Sequence, residues 1–366
     1  MATEKENKGI AQLRRQIDTL DDQVLALLNK RAGIVVRIGQ LKKAKRSDLH
    51  APVREMEIYD RLSRLNKGPF PNEALRAVYR EILSASLSLE GPLKVAYLGP
   101  KATFTHLASL RQFGFSASYV PVNSIKEVFS EVERGRAEYG VVPIENSTEG
   151  VVNHTLDMFV DSPLKIVGEV MQEVSHHLMN KSGRMEDVKS LYSHPHAIAQ
   201  CRVWLENHLP NVPTREVSST ARAAELCDED PSAAAIASEL AAQLYGLSIL
   251  QKRIEDNIHN FTRFLVISRK SLGRTGRDKT SIMFTIRDRV GALHDMLKPF
   301  SQYGINLTKI ESRPSRKKAW EYIFFVDLEG HHQDEKVKKA LEQLHEQCLF
   351  LKVLGSYPAA KEKGNE

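Results

Sequence analysis

Residues 10–46, IAQLRRQIDTLDDQVLALLNKRAGIVVRIGQLKKAKR, place apolar side chains at Ile10, Leu13, Ile17, Leu20, Val24, Leu27, Ile34, Ile38 and Leu41. The steps are mostly three and four, so the stretch predicts one amphipathic helix from Ile10 to about Arg46, roughly 55 Å long. Where the rhythm calls for an apolar residue at position 31, the chain has Arg31. An arginine facing a helical core must be paired or must meet a ligand anion. The ordinary alternatives are a core carboxylate partner or a side chain that snorkels outward. Lys42 lies eleven residues on, only about 20° around the helix from Arg31. Two cations on one inward stripe, with no acidic neighbour on it, call for an anion. Arg14 sits about 100° off that stripe, so it cannot easily serve the same pocket within its own chain, but it can serve that of a partner copy.

A second helix follows Pro52, and a third is predicted from about Asn72 to Glu90, bounded by Gly68-Pro69 and Gly91-Pro92. Ser86 and Glu90 are i,i+4 neighbours on the third, and Arg54 and Glu55 open a turn on the second. Two short helices cannot cover so long a stripe, and a homodimer or higher homo-oligomer is the expected remedy.

Beyond Gly91-Pro92 short apolar runs alternate with helical patterns. Lys94–Leu98, Tyr139–Pro143, Leu164–Val170, Ser190–Tyr192, Ala234–Ile236 and Arg263–Ile267 read as strands of an α/β block. Arg269 to Lys279 is rich in Gly, Arg and Ser and reads as a linker. Residues 281–357 then follow a β-α-β-β-α-β order, the ferredoxin-like arrangement of an α+β domain. The domains expected are therefore 1–92, all-helical; 93–270, α/β; and 271–366, ferredoxin-like.

Composition narrows the function. The 366 residues are 42% hydrophobic and 27% charged, ordinary for globular domains. No run approaches the ~18 apolar residues of a membrane span, and Met1 to Gly9 lacks the apolar block of a signal peptide. Cys201, Cys227 and Cys348 are odd in number and widely spaced, which fits reduced thiols and a cytoplasmic setting. The net charge of +6 permits an anionic partner. Lys42, Lys43, Lys45 and Arg46 are the best nucleic-acid candidate, but no recognition motif accompanies them and aromatics make up only 7% of the chain, so no nucleic acid is expected. The histidines His106, His176, His177, His194 and His196 match no zinc spacing. No phosphate loop or nucleotide fingerprint occurs, so neither metal nor cofactor is expected.

The central block instead carries hydroxyl- and amide-rich clusters. They are Gly99-Pro100 through Thr103-Phe104-Thr105, Pro143 through Ser147, Ser219-Thr220-Ala221 and Asn260 through Phe264. Each alone is an ordinary turn or helix cap. Together, at the strand ends of one α/β block, they mark a ligand cleft. In the last block Gly291-Ala292-Leu293 opens a helix and Glu311-Ser312-Arg313-Pro314 ends a strand; each alone reads as a cap or a loop.

These residues carry a resemblance. Leu13-Arg14, Ile17 to Asp21, Arg31, Gly39, Lys42 and Arg54-Glu55 resemble the all-helical chorismate mutases. That implies a pocket for chorismate in which Arg31, and Arg14 of a second copy, hold carboxylates. Lys42 would donate to the ether oxygen and a carboxylate, Arg54 would support the pocket, Glu55 would accept from the ring hydroxyl, and Ser86 and Glu90 would complete the site. Two departures stand out: Ala51 where some members carry Asp, and Glu90 where some carry Gln. A carboxylate cannot donate a hydrogen bond and a carboxylic acid can, so mutase activity is expected to fall as pH rises through the pKa of Glu90 in the bound complex.

The central clusters resemble prephenate dehydratase: Thr262-Arg263-Phe264, Glu145-Asn146-Ser147 with Glu149-Gly150-Val151, His194-Pro195 and Ser219-Thr220-Ala221. That implies two subdomains around a cleft, like a periplasmic binding protein. Thr262 would act in catalysis, Arg263 and helix N-termini would hold carboxylates, and Thr103, Asn146, Ser147 and Thr220 would orient prephenate. Ala102 replaces a usual glycine and would be strained if that position needs positive φ. Gly291, Ala292, Leu293, Glu311, Ser312, Arg313 and Pro314 resemble the phenylalanine-binding motifs of the ACT regulatory domain. The whole is similar to bifunctional chorismate mutase/prephenate dehydratases under feedback by L-phenylalanine. Two other readings stay open: an amino-acid-sensing protein with degenerate sites, and a dehydratase that prefers arogenate.

Overall fold

The computed structural model describes residues 2–44, 50–287, 289–314 and 322–360. Lys45 and Arg46, and with them the expected end of the first helix, lie outside the described residues.

The chain divides into two compact units. The first holds α1 (Ala2–Ala44), α2 (Pro52–Leu65) and α3 (Asn72–Glu90), together with residues 113–118. Proline at the first turn of α2 suits a helix start, because its missing N–H has no acceptor there anyway. Ala51 precedes it and offers no side-chain cap. The apolar stripe of α1 is uncovered: Ile10, Leu13, Ile17, Leu20, Val24, Leu27, Ile34, Ile38 and Leu41 are each between 43% and 65% exposed.

The second unit begins with β1 (Lys94–Leu98), α4 (Phe104–Phe113), β2 (Ser118–Val122), α5 (Ile125–Glu133), β3 (Tyr139–Asn146), β4 (Gly150–Val151), α6 (Asn153–Asp161) and β5 (Lys165–Glu173). The chain then crosses to a second lobe: β6 (His177–Asn180), β7 (Ser190–Ser193), α7 (Pro195–Gln200), α8 (Arg202–His208), β8 (Thr214–Glu216), α9 (Thr220–Glu229), β9 (Ala233–Ala237), α10 (Glu239–Tyr245) and β10 (Ser248–Gln251). It returns to the first lobe as β11 (Phe261–Ser268). The first sheet runs β2-β1-β3-β11-β5, with β4 on β3, and the second β10-β6-β9-β7-β8. Two crossings, residues 174–176 and 252–260, thus join two α/β lobes. β11 lies between β3 and β5, antiparallel to both, and sets Thr262 opposite Asn146.

The last region holds β12 (Asp278–Thr285), α11 (Ala292–Gln302), β13 (Leu307–Pro314), β14 (Tyr322–Glu329), α12 (Glu335–Gln347) and β15 (Phe350–Pro358). Its sheet order β13-β14-β12-β15 is the expected ferredoxin-like topology. Strand alternation divides its side chains between two faces. Ile282, Phe284, Phe324, Val326 and Leu328 pack with Met296, Phe300, Val337 and Leu341 of α11 and α12. Met283, Ile323, Phe325, Leu354 and Tyr357 enter one core with Val142, Ile144, Ile166, Leu265 and Ile267 of the first lobe. At Gly355 the two regions meet backbone to backbone. A Cβ there would stand 2.1 Å from the Ile166 carbonyl oxygen, so only glycine fits. None of the helices among the described residues is long and apolar enough to cross a membrane.

Candidate active sites

In the helical unit α1 and α3 bring four expected residues together. The Arg31 guanidinium donates to Ser86 Oγ, which donates on to the Ile82 carbonyl at 2.6 Å. Lys42 Nζ meets Glu90 Oε2 at 3.3 Å. Ser86 and Glu90 are buried. Gly39 makes this approach possible: a Cβ there would lie 2.9 Å from Glu90 Cγ. Glu55 stands nearby in sequence on α2 and holds His50 Nε2 at 3.0 Å. Arg54 departs from expectation. It pairs with Glu57 one turn along its own helix, at 2.7 Å and largely in solvent, because its position lies on the outward side of α2. Arg14 is exposed and lies about 25 Å along α1 from Arg31, too far to reach it within one chain.

The second constellation forms where β3 ends and β11 begins. Asn146 Nδ2 donates to Thr262 Oγ1 and to Asn260 Oδ1, both at 2.8 Å. Its Oδ1 accepts from the Thr148 and Glu149 N–H groups at 2.9 Å each. The amide is thereby fixed at both ends. Ser147 Oγ accepts from Phe261 N–H at 3.0 Å and donates to the His259 carbonyl at 3.2 Å, clamping the second crossing beside it. The network continues into the other lobe. Asn260 Nδ2 donates to Gln200 Oε1 at 2.8 Å, and His176 Nε2 meets the same oxygen at 2.9 Å. Gln200 Nε2 donates to Glu149 at 3.1 Å. Burial depresses the pKa of His176, so it is the neutral ring that donates from Nε2. The sequence reading counted Asn260 in a cleft cluster without giving it a role, weighed His176 only as a metal ligand, and missed Gln200. A buried amide bridging two lobes leaves no periodicity to detect.

Other expected residues sit differently. Thr103 Oγ1 donates toward the Leu98 and Pro100 carbonyls and accepts from His106 N–H, which makes it a cap for α4. Thr220 is the first residue of α9, and its cap is Ser219, which accepts from Arg222 N–H at 3.0 Å. Ala102 and Ala221, each next to one of these threonines, belong to one buried cluster. Ala102 does have φ +66°, the conformation feared for a non-glycine residue. His106 Nδ1 accepts from the Ala102 N–H at 3.1 Å, and burial, with Lys101 nearby, lowers the ring's pKa to about 4. Burial also raises the Cys201 thiol and pushes Cys227 up to about 12, which leaves both as inert packing groups.

Arg263 overturns its expected role. Strand alternation turns it to the face opposite Thr262, where it is buried against Glu169, Asp327 and Tyr357. All of its nitrogens are engaged there, so it is not presented to a ligand beside Thr262. Arg313 likewise meets Asp157 at 2.7 Å and the Asn153 carbonyl, both on α6. Gly291 has φ +77° ahead of α11 with open space around it, while Leu293 is partly exposed and Ser312 and Pro314 face outward on β13. Ala292 is buried under the helix start, and Glu311 is half-buried.

A helical unit that gathers Arg31, Lys42, Ser86 and Glu90, a two-lobed α/β region with an amide-held threonine and a ferredoxin-like domain define an enzyme class: a fused mutase and dehydratase with a regulatory module. Comparison with known proteins agrees. Family models match as Chorismate mutase type II over residues 13–91, Prephenate dehydratase over 95–272 and ACT domain over 280–346. A bifunctional chorismate mutase/prephenate dehydratase of Aquifex aeolicus is 56% identical over 96% of this chain and 98% of its own. One from Stutzerimonas stutzeri is 47% identical over 95% and 97%. A crystal structure of prephenate dehydratase in complex with L-Phe from Arthrobacter aurescens superposes with TM-score 0.68 at 37% identity, covering 73% of this chain and 90% of that one. The chain belongs to the family of bifunctional chorismate mutase/prephenate dehydratases.

Proposed function

We propose that the two reactions are carried by the constellations described above and that L-phenylalanine regulates the second. In the helical pocket Arg31 and Lys42 hold the carboxylates of chorismate. The rearrangement is pericyclic and needs no nucleophile, so the pocket works by holding the compact chair and placing donors where negative charge grows on the ether oxygen. Lys42, held beside the buried Glu90, is such a donor, and Glu55 accepts from the ring hydroxyl. Arg14 enters from a second copy, which the uncovered stripe of α1 recruits into a homodimer.

In the dehydratase the observation that carries the reading is the Asn146–Thr262 hydrogen bond. Thr262 Oγ1 accepts from the Asn146 amide, so its own proton is left for another acceptor. That acceptor is the departing hydroxyl of prephenate. As the carboxylate leaves as carbon dioxide, its bonding electrons enter the ring and the C–O bond breaks. A strong hydrogen bond from Thr262 eases the departure of hydroxide. With Arg263 committed elsewhere, the substrate carboxylates fall to the N-termini of α4 and α9, beside Thr103 and Thr220. Ser147 acts by holding the crossing next to Thr262.

Phenylalanine occupies the open start of α11, at Gly291 to Leu293. The Glu311–Pro314 strand of a partner's domain closes it, in keeping with the L-Phe held by the Arthrobacter relative. The unpaired cysteines fit a cytoplasmic enzyme. Prephenate is favoured over arogenate by the family match alone. The test is steady-state dehydration of prephenate. Thr262→Ala is expected to lower kcat at least about 100-fold and Asn146→Ala to approach it, whereas Thr262→Ser retains most of the rate. Full activity in Thr262→Ala would remove the threonine from the chemistry.

A further inference from the structure

Thr262 and Arg263 are consecutive on β11 and point to opposite faces. One hydrogen-bonds in the candidate site and the other enters a buried ionic cluster shared with the regulatory sheet. Arg263 Nε donates to Glu169 Oε2 at 2.7 Å, Nη1 to Asp327 Oδ2 at 2.6 Å and Nη2 to Tyr357 Oη at 3.0 Å. Lys279 Nζ binds both Glu169 oxygens, at 2.9 and 3.1 Å, and the Ala360 N–H donates to Oε1 at 2.9 Å. Ser281 Oγ bridges Asp327 and Tyr357. The first lobe contributes one cation and one anion, Arg263 and Glu169. The ferredoxin-like sheet contributes Lys279 and Asp327.

The closest cross-pairs, Arg263 with Asp327 and Lys279 with Glu169, run between the regions. Separating the two sheets would leave Arg263 with Glu169 alone and strip Lys279 and Asp327 of these partners, which buried ions tolerate badly. The forked guanidinium also fixes direction as well as distance, because its planar donors bind two carboxylates and a hydroxyl at once. A second observation agrees. At Gly355 the β15 backbone rests directly on β5 at Ile166, so at this point no side chain lies between the sheets to absorb a shift. Glu169 stands on the same strand, three residues further on.

We propose that Arg263 is a positioning residue for the dehydration, not a substrate ligand. Through Glu169 and Asp327 it locks β11, and with it the Thr262 hydroxyl, to the regulatory sheet. A change in that sheet then reaches the reacting hydroxyl through one residue of backbone. The proposal rests on the dehydratase reading of Thr262.

The test uses the full-length enzyme and measures prephenate dehydration, with chorismate rearrangement in the same preparation as the control for a folded chain. Asp327→Asn is nearly isosteric and lies 64 residues from Arg263 in sequence. It should lower dehydratase kcat about tenfold while KM for prephenate stays within about twofold and the mutase rate is unchanged. Arg263→Met should do the same, Arg263→Lys should recover part of the loss, and the Arg263→Met/Asp327→Asn double variant should be no worse than the single ones. Two results would overturn the proposal. A large rise in KM for Arg263→Met, with Asp327→Asn indistinguishable from the parent, would make the guanidinium a direct ligand of prephenate. Unchanged kcat in every variant, with only thermal stability reduced, would make the cluster purely structural. If the parent itself fails to consume prephenate, the reading of Thr262 falls instead.

Discussion

At the scale of single residues, His106 shows how burial ties stability to pH. His106 serves as an acceptor at Nδ1 only while neutral, and its ring stacks on Tyr97 at 4.7 Å. Its pKa is about 4 when folded against about 6.5 when unfolded. Between these values the unfolded chain binds a proton that the folded chain refuses, so stability is full above about pH 6.5 and falls as pH drops toward 4. Thermal unfolding between pH 7 and pH 5 should show a decline that His106→Gln makes shallower, the rest belonging to other buried histidines such as His176; an equal decline in the variant would clear this residue. Glu90 makes a prediction for activity. It is buried beside Lys42, so Glu90→Ala should lower the mutase rate at least about tenfold and leave dehydration intact. An unchanged mutase rate would exclude it from the pocket. Ala102 shows what a sequence leaves open at this scale. Its replacement of glycine was legible, but its positive φ and fully buried methyl were not, since both depend on the lobe packed over it. Arg263 was legible as an important charge, and its direction was not. Strand alternation separates it from Thr262, but only the docked sheet reveals which face holds the site.

At the scale of elements, periodicity announced the long helix and the ferredoxin-like order, and it located β1, β3, β5, β7, β9 and β11. It missed short strands such as β6 and β10, whose residues are held by their neighbours more than by their own pattern. It also missed Gln200, because the reach of α7 into the crossing segments is a tertiary fact. Gly39 is where element packing meets function. With Glu90 Cγ so close, Gly39→Ala gains helix propensity of about 1 kcal/mol and loses the close approach of α1 to α3. The expected outcome is a chain of near-parental thermal stability with mutase activity lowered about tenfold and dehydratase activity retained. Undiminished mutase activity would show that the helices separate without cost to the pocket.

At the scale of the whole molecule, the uncovered stripe is the dominant feature of the helical unit. Burying a large aliphatic side chain fully is worth about 1.5–3 kcal/mol, so nine half-exposed ones are a strong incentive to associate. Leu20→Lys with Leu27→Lys should therefore convert a dimer to a monomer by sedimentation, and abolish mutase activity by withdrawing the partner's Arg14. A monomeric parent with full activity would refute that arrangement. The incentive was readable from the spacing of apolar residues alone, whereas the joining of the regulatory sheet to the first lobe through one shared core was not.

The most direct test of the whole is phenylpyruvate formation from chorismate as the only substrate, with and without L-phenylalanine, in the parent and in Thr262→Ala. The parent should form phenylpyruvate, phenylalanine should suppress it, and the variant should accumulate prephenate. Chorismate left untouched, or phenylpyruvate still formed at the parental rate by Thr262→Ala, would contradict the assignment of the two reactions to these two sites.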